Sequence, residues 1–157
     1  MSLDLFKVLG GMGPKKEMSP VIYFKWTSDM EIGHPEIDEQ HTKLFMLGEA
    51  VVESLTNADE KKLTVAQLQA FIVFAQEHFK FEEGLMRSAG YPGADQHAKY
   101  HSSLLTELRT YCFKAQRGLH TNPVGRFFLW NWIVPHIDSA DRDLVVWLKS
   151  HEPDGGG

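Results

Sequence analysis

The sequence predicts an all-α protein, an up-down-up-down four-helix bundle with an N-terminal extended arm. Three observations carry this reading. Four stretches between Pro35 and Trp147 place apolar side chains in alternating steps of three and four, the period of a helix with one buried face. Helix start and stop residues punctuate those stretches. The segments between them are short turns, which join helices as antiparallel neighbours.

At 157 residues the chain is the size of one domain, able to bury roughly 70% of the surface its unfolded form exposes. With 43% hydrophobic and 24% charged residues, its composition is that of a globular protein. A formal charge of -5 and the lack of a basic stripe argue against a nucleic-acid partner. The longest apolar stretch, Phe127 to Val134, is interrupted by Asn131 and falls far short of the ~20 residues of a membrane span, so no membrane insertion is expected. A lone Cys112 excludes an internal disulfide, and the N-terminus lacks a sustained apolar core ahead of a small-residue cleavage site. Both features predict a cytoplasmic location.

Residues 1–20, with Gly10, Gly11, Gly13, Pro14 and Pro20 and no sustained period, read as a flexible N-terminal segment, and residues 151–157 as a flexible tail. The bundle is expected to occupy 21–150. Val21 to Trp26 is short and aromatic; with no partner strand in view it is read as an extended arm packed on the helices and anchored by Trp26.

The first helix begins near Pro35, which suits a first helical position, and buries Ile37, His41, Leu44, Gly48, Val51 and Leu55. The second opens on a capping box, Thr64 to Gln67, with Leu63 and Leu68 placed as a hydrophobic staple. Its stripe runs through Phe71, Ile72, Ala75, His78, Phe79, Glu82, Leu85 and Met86 until Gly90 and Pro92 end it. The third spans about Gly93 to Ala115, with His97, His101, Leu104, Leu108, Tyr111 and Ala115 on one face and Gly118 as its C-terminal cap. The fourth opens at Asn122 and Pro123 and carries Leu129, Trp132, Ile133, His136, Ile137, Ala140, Leu144 and Trp147.

Five imidazoles and two carboxylates therefore occupy core positions: His41, His78, Glu82, His97, His101, His136 and Asp141. The pairs His78/Glu82 and His97/His101 are four residues apart, one face of a helix and roughly 6 Å along its axis. A buried carboxylate without a partner costs several kcal/mol or shifts its pKa until it is neutral. No lysine or arginine lies on these stripes at that level, so the countercharge is best supplied by a metal pair. Iron is the natural candidate, because mixed imidazole and carboxylate donors suit borderline divalent metals, whereas a structural zinc site is saturated by four ligands. Each motif alone is a weak signal, since most such pairs are solvated helix faces; four compatible stripes together are specific.

His136 and Asp141 are the odd pair. Five residues advance a helix by ~500°, leaving ~140° between the side chains. A local π-bulge, or a carboxylate reaching sideways, would reconcile them. Pro135, immediately before His136, removes a backbone N–H and its ring opposes the carbonyl of Asn131, so a kink is expected at that level.

The segments GHPEIDEQHTKLF (33–45), HFKFEEGLM (78–86), YPGADQHAKYH (91–101) and WIVPHIDSAD (132–141) closely resemble the hemerythrin family, particularly its bacterial members. The resemblance covers residues 22–148 and all seven polar core positions. Myohemerythrin is itself a known up-down-up-down bundle, so the agreement in fold is not independent of the resemblance. The resemblance implies a non-haem di-iron centre, oxo- or hydroxo-bridged, that binds O₂ reversibly. His97, His101 and His136 would hold one iron, His41 and His78 the other, and Glu82 and Asp141 would bridge them, leaving an open position for O₂ on the two-histidine iron. An apolar cavity admits O₂ while keeping protons from it. Leu44, Phe79, Trp132, Ile133 and Ile137 are candidates for its wall, against the alternative that they are ordinary core.

Oxygen transport, storage, delivery or sensing is thus the expected function, without catalytic turnover, O₂ being the ligand and an oxygen-using enzyme or a signalling protein the candidate partner. The competing readings are a di-iron enzyme (oxidase, peroxidase or NO reductase) and an iron or redox sensor. The carboxylate-rich ferritin-like sites use four glutamates and two Glu-x-x-His motifs, which this chain lacks. His34, His120 and His151 read as solvated, Cys112 as a small core residue, Glu83 as a surface charge and Asp38 as a candidate acceptor for a histidine ring.

Overall fold

The computed structural model describes residues 24–55, 61–119 and 122–152. Helices α1 (Pro35–Ser54), α2 (Lys61–Ala89), α3 (Ala94–Gln116) and α4 (Asn122–His136) are followed by a π-helical segment, Ile137–Asp141, and by α5 (Arg142–Ser150). These last three pieces run consecutively as the fourth rod of an all-α four-helix bundle. α1 packs along α2, α2 along α3, and α4 returns to α1. Among the described residues there is no strand, and no helix is long and apolar enough to cross a membrane.

The ends of the helices follow from local chemistry. His34 caps α1, its Nδ1 accepting from the Ile37 N–H at 3.4 Å, and Pro35 takes a first-turn position that needs no donor. α2 and α3 end alike, on Gly90 (φ 67°) and Gly118 (φ 71°). The Tyr91 N–H donates back to the Met86 carbonyl (2.9 Å) and the Leu119 N–H to the Lys114 carbonyl (2.9 Å), a closure that needs a left-handed residue in between.

Two sequence expectations change here. Thr64 does not open α2, which is already helical at Lys61; Thr64 lies buried in the same stripe as Leu68 and Phe71, and Leu63 is 42% exposed rather than stapled. Burying that face decides the start of the helix over a cap. The arm is anchored less by Trp26, which is half-buried, than by Phe24, which stacks on Phe45 (5.0 Å between centroids). Val21–Tyr23 and residues 1–20 and 153–157 lie outside the described residues.

Apart from Ser54 and Thr64, the described core is apolar away from one end of the bundle. Leu68, Phe71, Leu108, Ala115 and Leu129 are fully buried, each large member contributing about 1.5–3 kcal/mol. Among the described residues, all the buried histidines and carboxylates gather at that end.

Candidate metal centre

Antiparallel packing brings together the start of α1, the C-terminal half of α2, the first turns of α3 and the end of α4 with its π segment. His41, His78 and Glu82, His97 and His101, and His136 and Asp141 sit on those four stretches. All seven side chains are buried, none more than 4% exposed. The stripes read from the sequence thus meet at a single level.

The two carboxylates divide the imidazoles into two sets. Oε1 of Glu82 faces Nε2 of His78 (3.4 Å) and His41 (4.0 Å), while Oε2 faces His101 (3.0 Å), His97 (3.6 Å) and His136 (3.8 Å). Asp141 repeats the division: Oδ2 is 2.9 Å from His41, and Oδ1 is 2.9 Å from His136 and 3.0 Å from His97. Two ligand sets result, one of Glu82, Asp141 and three histidines, the other of Glu82, Asp141 and two. The donor atoms in each lie within 4.8 Å of one another.

The five-residue step from His136 to Asp141 is resolved by the π segment. Its wider turn absorbs the extra residue and returns Asp141 to the face of His136. Pro135, which supplies no N–H to the helix, stands two residues ahead of it. The Ser139 hydroxyl donates to the Pro135 carbonyl at 2.6 Å.

The electrostatics are those of a site built for cations. Burial alone would raise the Glu82 carboxyl, as would Asp141, but His78, His101 and His136 hold it down at about 2. Burial would also raise Asp141, yet the surrounding imidazoles, His136 first, keep it well below the usual carboxylate range. Burial pulls His136 down, but Asp141 and Glu82 outweigh it and carry the ring up to about 10. His78 is dominated by burial and falls to about 4. The two buried carboxylates thus hold the His136 ring protonated well above its ordinary range. Among the described residues no lysine or arginine pairs with either carboxylate. Both Glu82 oxygens, Oδ1 of Asp141 and Nε2 of His78, His97, His101 and His136 are buried without a well-formed hydrogen bond. Orphaned donors converging on an anionic pocket fit a divalent metal pair, and the imidazole–carboxylate mixture fits iron.

Two residues behind the rings were not legible as part of the site. Gln40 Oε1 lies 2.7 Å from Nδ1 of His78, and Glu83 Oε1 lies 3.0 Å from Nδ1 of His101. Glu83 is therefore not a free surface charge. Each immediately neighbours a cluster residue on its own helix, and the ~100° offset of one residue aims it at a histidine of the next helix. That adjacency, in Gln40-His41 and Glu82-Glu83, was the available signal. Asp38, by contrast, supports no histidine ring among the described residues: its carboxylate accepts from the N–H groups of Ile32 (2.8 Å) and Gly33 (3.0 Å) and pins the approach to α1.

The five expected wall residues, Leu44, Phe79, Trp132, Ile133 and Ile137, are all buried. Phe79 stacks on His101 (4.0 Å between centroids) and lies edge-on to His136, while Trp132 sits 5.9 Å from Phe79 and donates its Nε1–H to the Leu104 carbonyl (2.8 Å). A surface cavity of about 230 Å³ lined by Tyr91, Gln96, Tyr100 and Asp143 reaches His97. Cys112 is buried in the core and burial pushes its thiol up. His34 caps α1 and His151 stacks on Trp147, and His120 lies outside the described residues.

Several known proteins are similar to this chain. The chain is 31% identical over 121 residues to a hemerythrin of Sipunculus nudus, covering 75% of this chain and 87% of that protein. It is 30% identical over 138 residues to a bacteriohemerythrin of Ralstonia nicotianae, covering 86% and 94%. It is 26% identical over 126 residues to a bacteriohemerythrin of Stenotrophomonas maltophilia, covering 80% and 82%. No protein-family model and no solved structure gives a significant match.

Proposed function

The chain belongs to the hemerythrin family, and from that premise we propose that it holds two non-haem iron ions and binds O₂ reversibly, serving oxygen transport, storage, delivery or sensing. His97, His101 and His136 would hold one ion, His41 and His78 the other, and Glu82 and Asp141 would bridge the two. The observation that carries this reading is the division by carboxylate oxygen, in which each carboxylate turns one oxygen to the two-histidine set and the other to the three-histidine set.

A ferrous pair held there would supply the electrons that reversible O₂ binding requires. The protein's part is to shape and dry the site. Leu44, Phe79, Trp132, Ile133 and Ile137 would form the wall against which O₂ sits. Their apolar surface offers no proton donor, since the Trp132 N–H is committed to the Leu104 carbonyl. Two histidines on one ion against three on the other would leave the free position on the two-histidine side. The set is rich in neutral imidazole, which stabilises high-valent iron less than a carboxylate-rich set, and this favours binding over turnover.

The test is to load the metal-free protein anaerobically with ferrous iron, confirm two irons per chain, and follow the visible spectrum through cycles of air and deoxygenation. Colour that appears with O₂ and fades on its removal is the expected result. Direct conversion to a permanently ferric form, with reductant consumed, would overturn it in favour of an enzyme or redox sensor.

A further inference from the structure

Behind the cluster, the two histidine rings that have a side-chain partner are backed unequally. Both turn Nε2 inward: His78 toward Oε1 of Glu82 (3.4 Å) and His101 toward Oε2 (3.0 Å). With Nε2 used as a donor atom to metal, the ring proton must reside on Nδ1, so the group behind Nδ1 has to accept. Behind His78 that acceptor is the neutral amide oxygen of Gln40, at 2.7 Å. Behind His101 it is the carboxylate of Glu83, at 3.0 Å. Nδ1 of His41, His97 and His136 is buried without a partner among the described residues. Among the side chains bonded to Nδ1 of these rings, Gln40 and Glu83 are therefore where the two ligand sets differ in charge.

A hydrogen bond to a carboxylate is roughly twice as strong as one to a neutral acceptor, and it draws the Nδ1 proton away from the ring. The ring gains imidazolate character and becomes the more basic donor at Nε2. An amide oxygen does the same only weakly. Arg87 stands 3.9 Å from the other oxygen of Glu83, but it is 69% exposed, so solvent screens its charge more than the protein does.

Resting on the proposed di-iron reading, we propose that Gln40 and Glu83 are positioning residues that hold the two ions at unequal reduction potentials. The carboxylate favours the ferric state at the three-histidine position, and the amide leaves the two-histidine position easier to keep ferrous. Starting from the diferrous protein, one electron leaves to an electrode at the three-histidine position first. A second leaves from the two-histidine position at higher potential.

Mediated spectroelectrochemistry of the iron-loaded full chain tests this, alongside Glu83→Gln, Gln40→Glu and the double exchange, with iron per chain measured for each. Glu83→Gln is expected to raise the lower potential and leave the higher one nearly unmoved. Gln40→Glu is expected to lower the higher potential. Each single change narrows the separation, and in the double exchange the two shifts add. Iron affinity should fall by about 10- to 100-fold in Glu83→Gln, as for other changes behind a ligating histidine. Should that variant fail to retain iron, the direction of the Gln40→Glu shift decides alone. Wild-type and variant chains that hold two irons with unmoved potentials, or with both potentials moved together, overturn this proposal and leave the di-iron reading standing. A wild-type chain that takes up no iron overturns both.

Discussion

Nε2 of His136 lies 2.9 Å from Oδ1 of Asp141, although five residues separate them along a helix whose period would turn them apart. The π segment Ile137–Asp141 removes the conflict by carrying one residue more than an α-turn would. Such a segment behaves as a single insertion, and this gives it a simple test. Deleting the exposed Ser139 should return the rod to a continuous α-helix with His136 and the carboxylate four residues apart, still on one face. That variant is expected to keep two irons per chain. Inserting an alanine after Ser139 should rotate the carboxylate by a further ~100° and cost at least one iron. Metal analysis of the two variants checks both outcomes; equal iron in the insertion variant would contradict this account of the π segment.

Phe24 is held by the bare surface of α1 at Gly48, where a Cβ would run into the Phe24 ring. Phe24 in turn stacks on Phe45, whose ring neighbours Trp26, and Trp26 lies 6.0 Å from the His41 ring. Gly48→Ala should therefore expel or tilt Phe24 and destabilise the fold by about 1–3 kcal/mol, the usual cost of overpacking. A denaturant titration of the metal-free protein measures it. An unchanged or raised midpoint would show that α1 tolerates the methyl and that the arm is not seated as described.

The bundle and the convergence of seven polar residues were legible because both depend on period. Pro35, Gly90 and Gly118 mark ends that backbone geometry enforces, and His41, His78, Glu82, His97 and His101 fall where apolar residues belong. The conflict between His136 and Asp141 was visible as a number, and the π segment is one of the two local distortions that number allowed. What period cannot supply is the neighbour across a groove. Glu83 looked like a surface charge because it lies ~100° from Glu82, yet that direction leads to His101 on the next helix. Thr64 matched a cap by type and spacing, and tertiary burial overrode it.

Glu82 faces all five histidines of the cluster, so removing its charge should affect both ligand sets at once. Glu82→Gln keeps the volume and one acceptor oxygen but exchanges the second for an amide that cannot bridge. Iron uptake is expected to fall below two per chain. The rise in thermal midpoint that iron confers, measured against protein treated with a chelator, should largely disappear, because metal binding at a site assembled from four helices is coupled to folding. Two irons bound with an undiminished rise would rule out a bridging role for this carboxylate.

The metal-free protein should be most stable near neutral pH, for two opposed reasons. His78, depressed from 6.5 to about 4 by burial, is folded in its neutral form; its contribution is fully present above pH 6.5 and is lost as pH falls through about 4. His136, raised from 6.5 to about 10, is folded in its charged form; its contribution is present below pH 6.5 and is lost as pH rises through about 10. The thermal midpoint of metal-free protein should accordingly decline on both sides of neutrality. An iron held by His136 needs its Nε2 unprotonated, so loading at pH 7 must expel the proton that Asp141 and Glu82 retain there, and uptake should release at least that proton. A pH-stat titration with ferrous iron under anaerobic conditions counts it. Uptake of two irons with no proton released would mean that His136 is already neutral in the metal-free protein, and the alkaline decline in its thermal midpoint should then be missing as well.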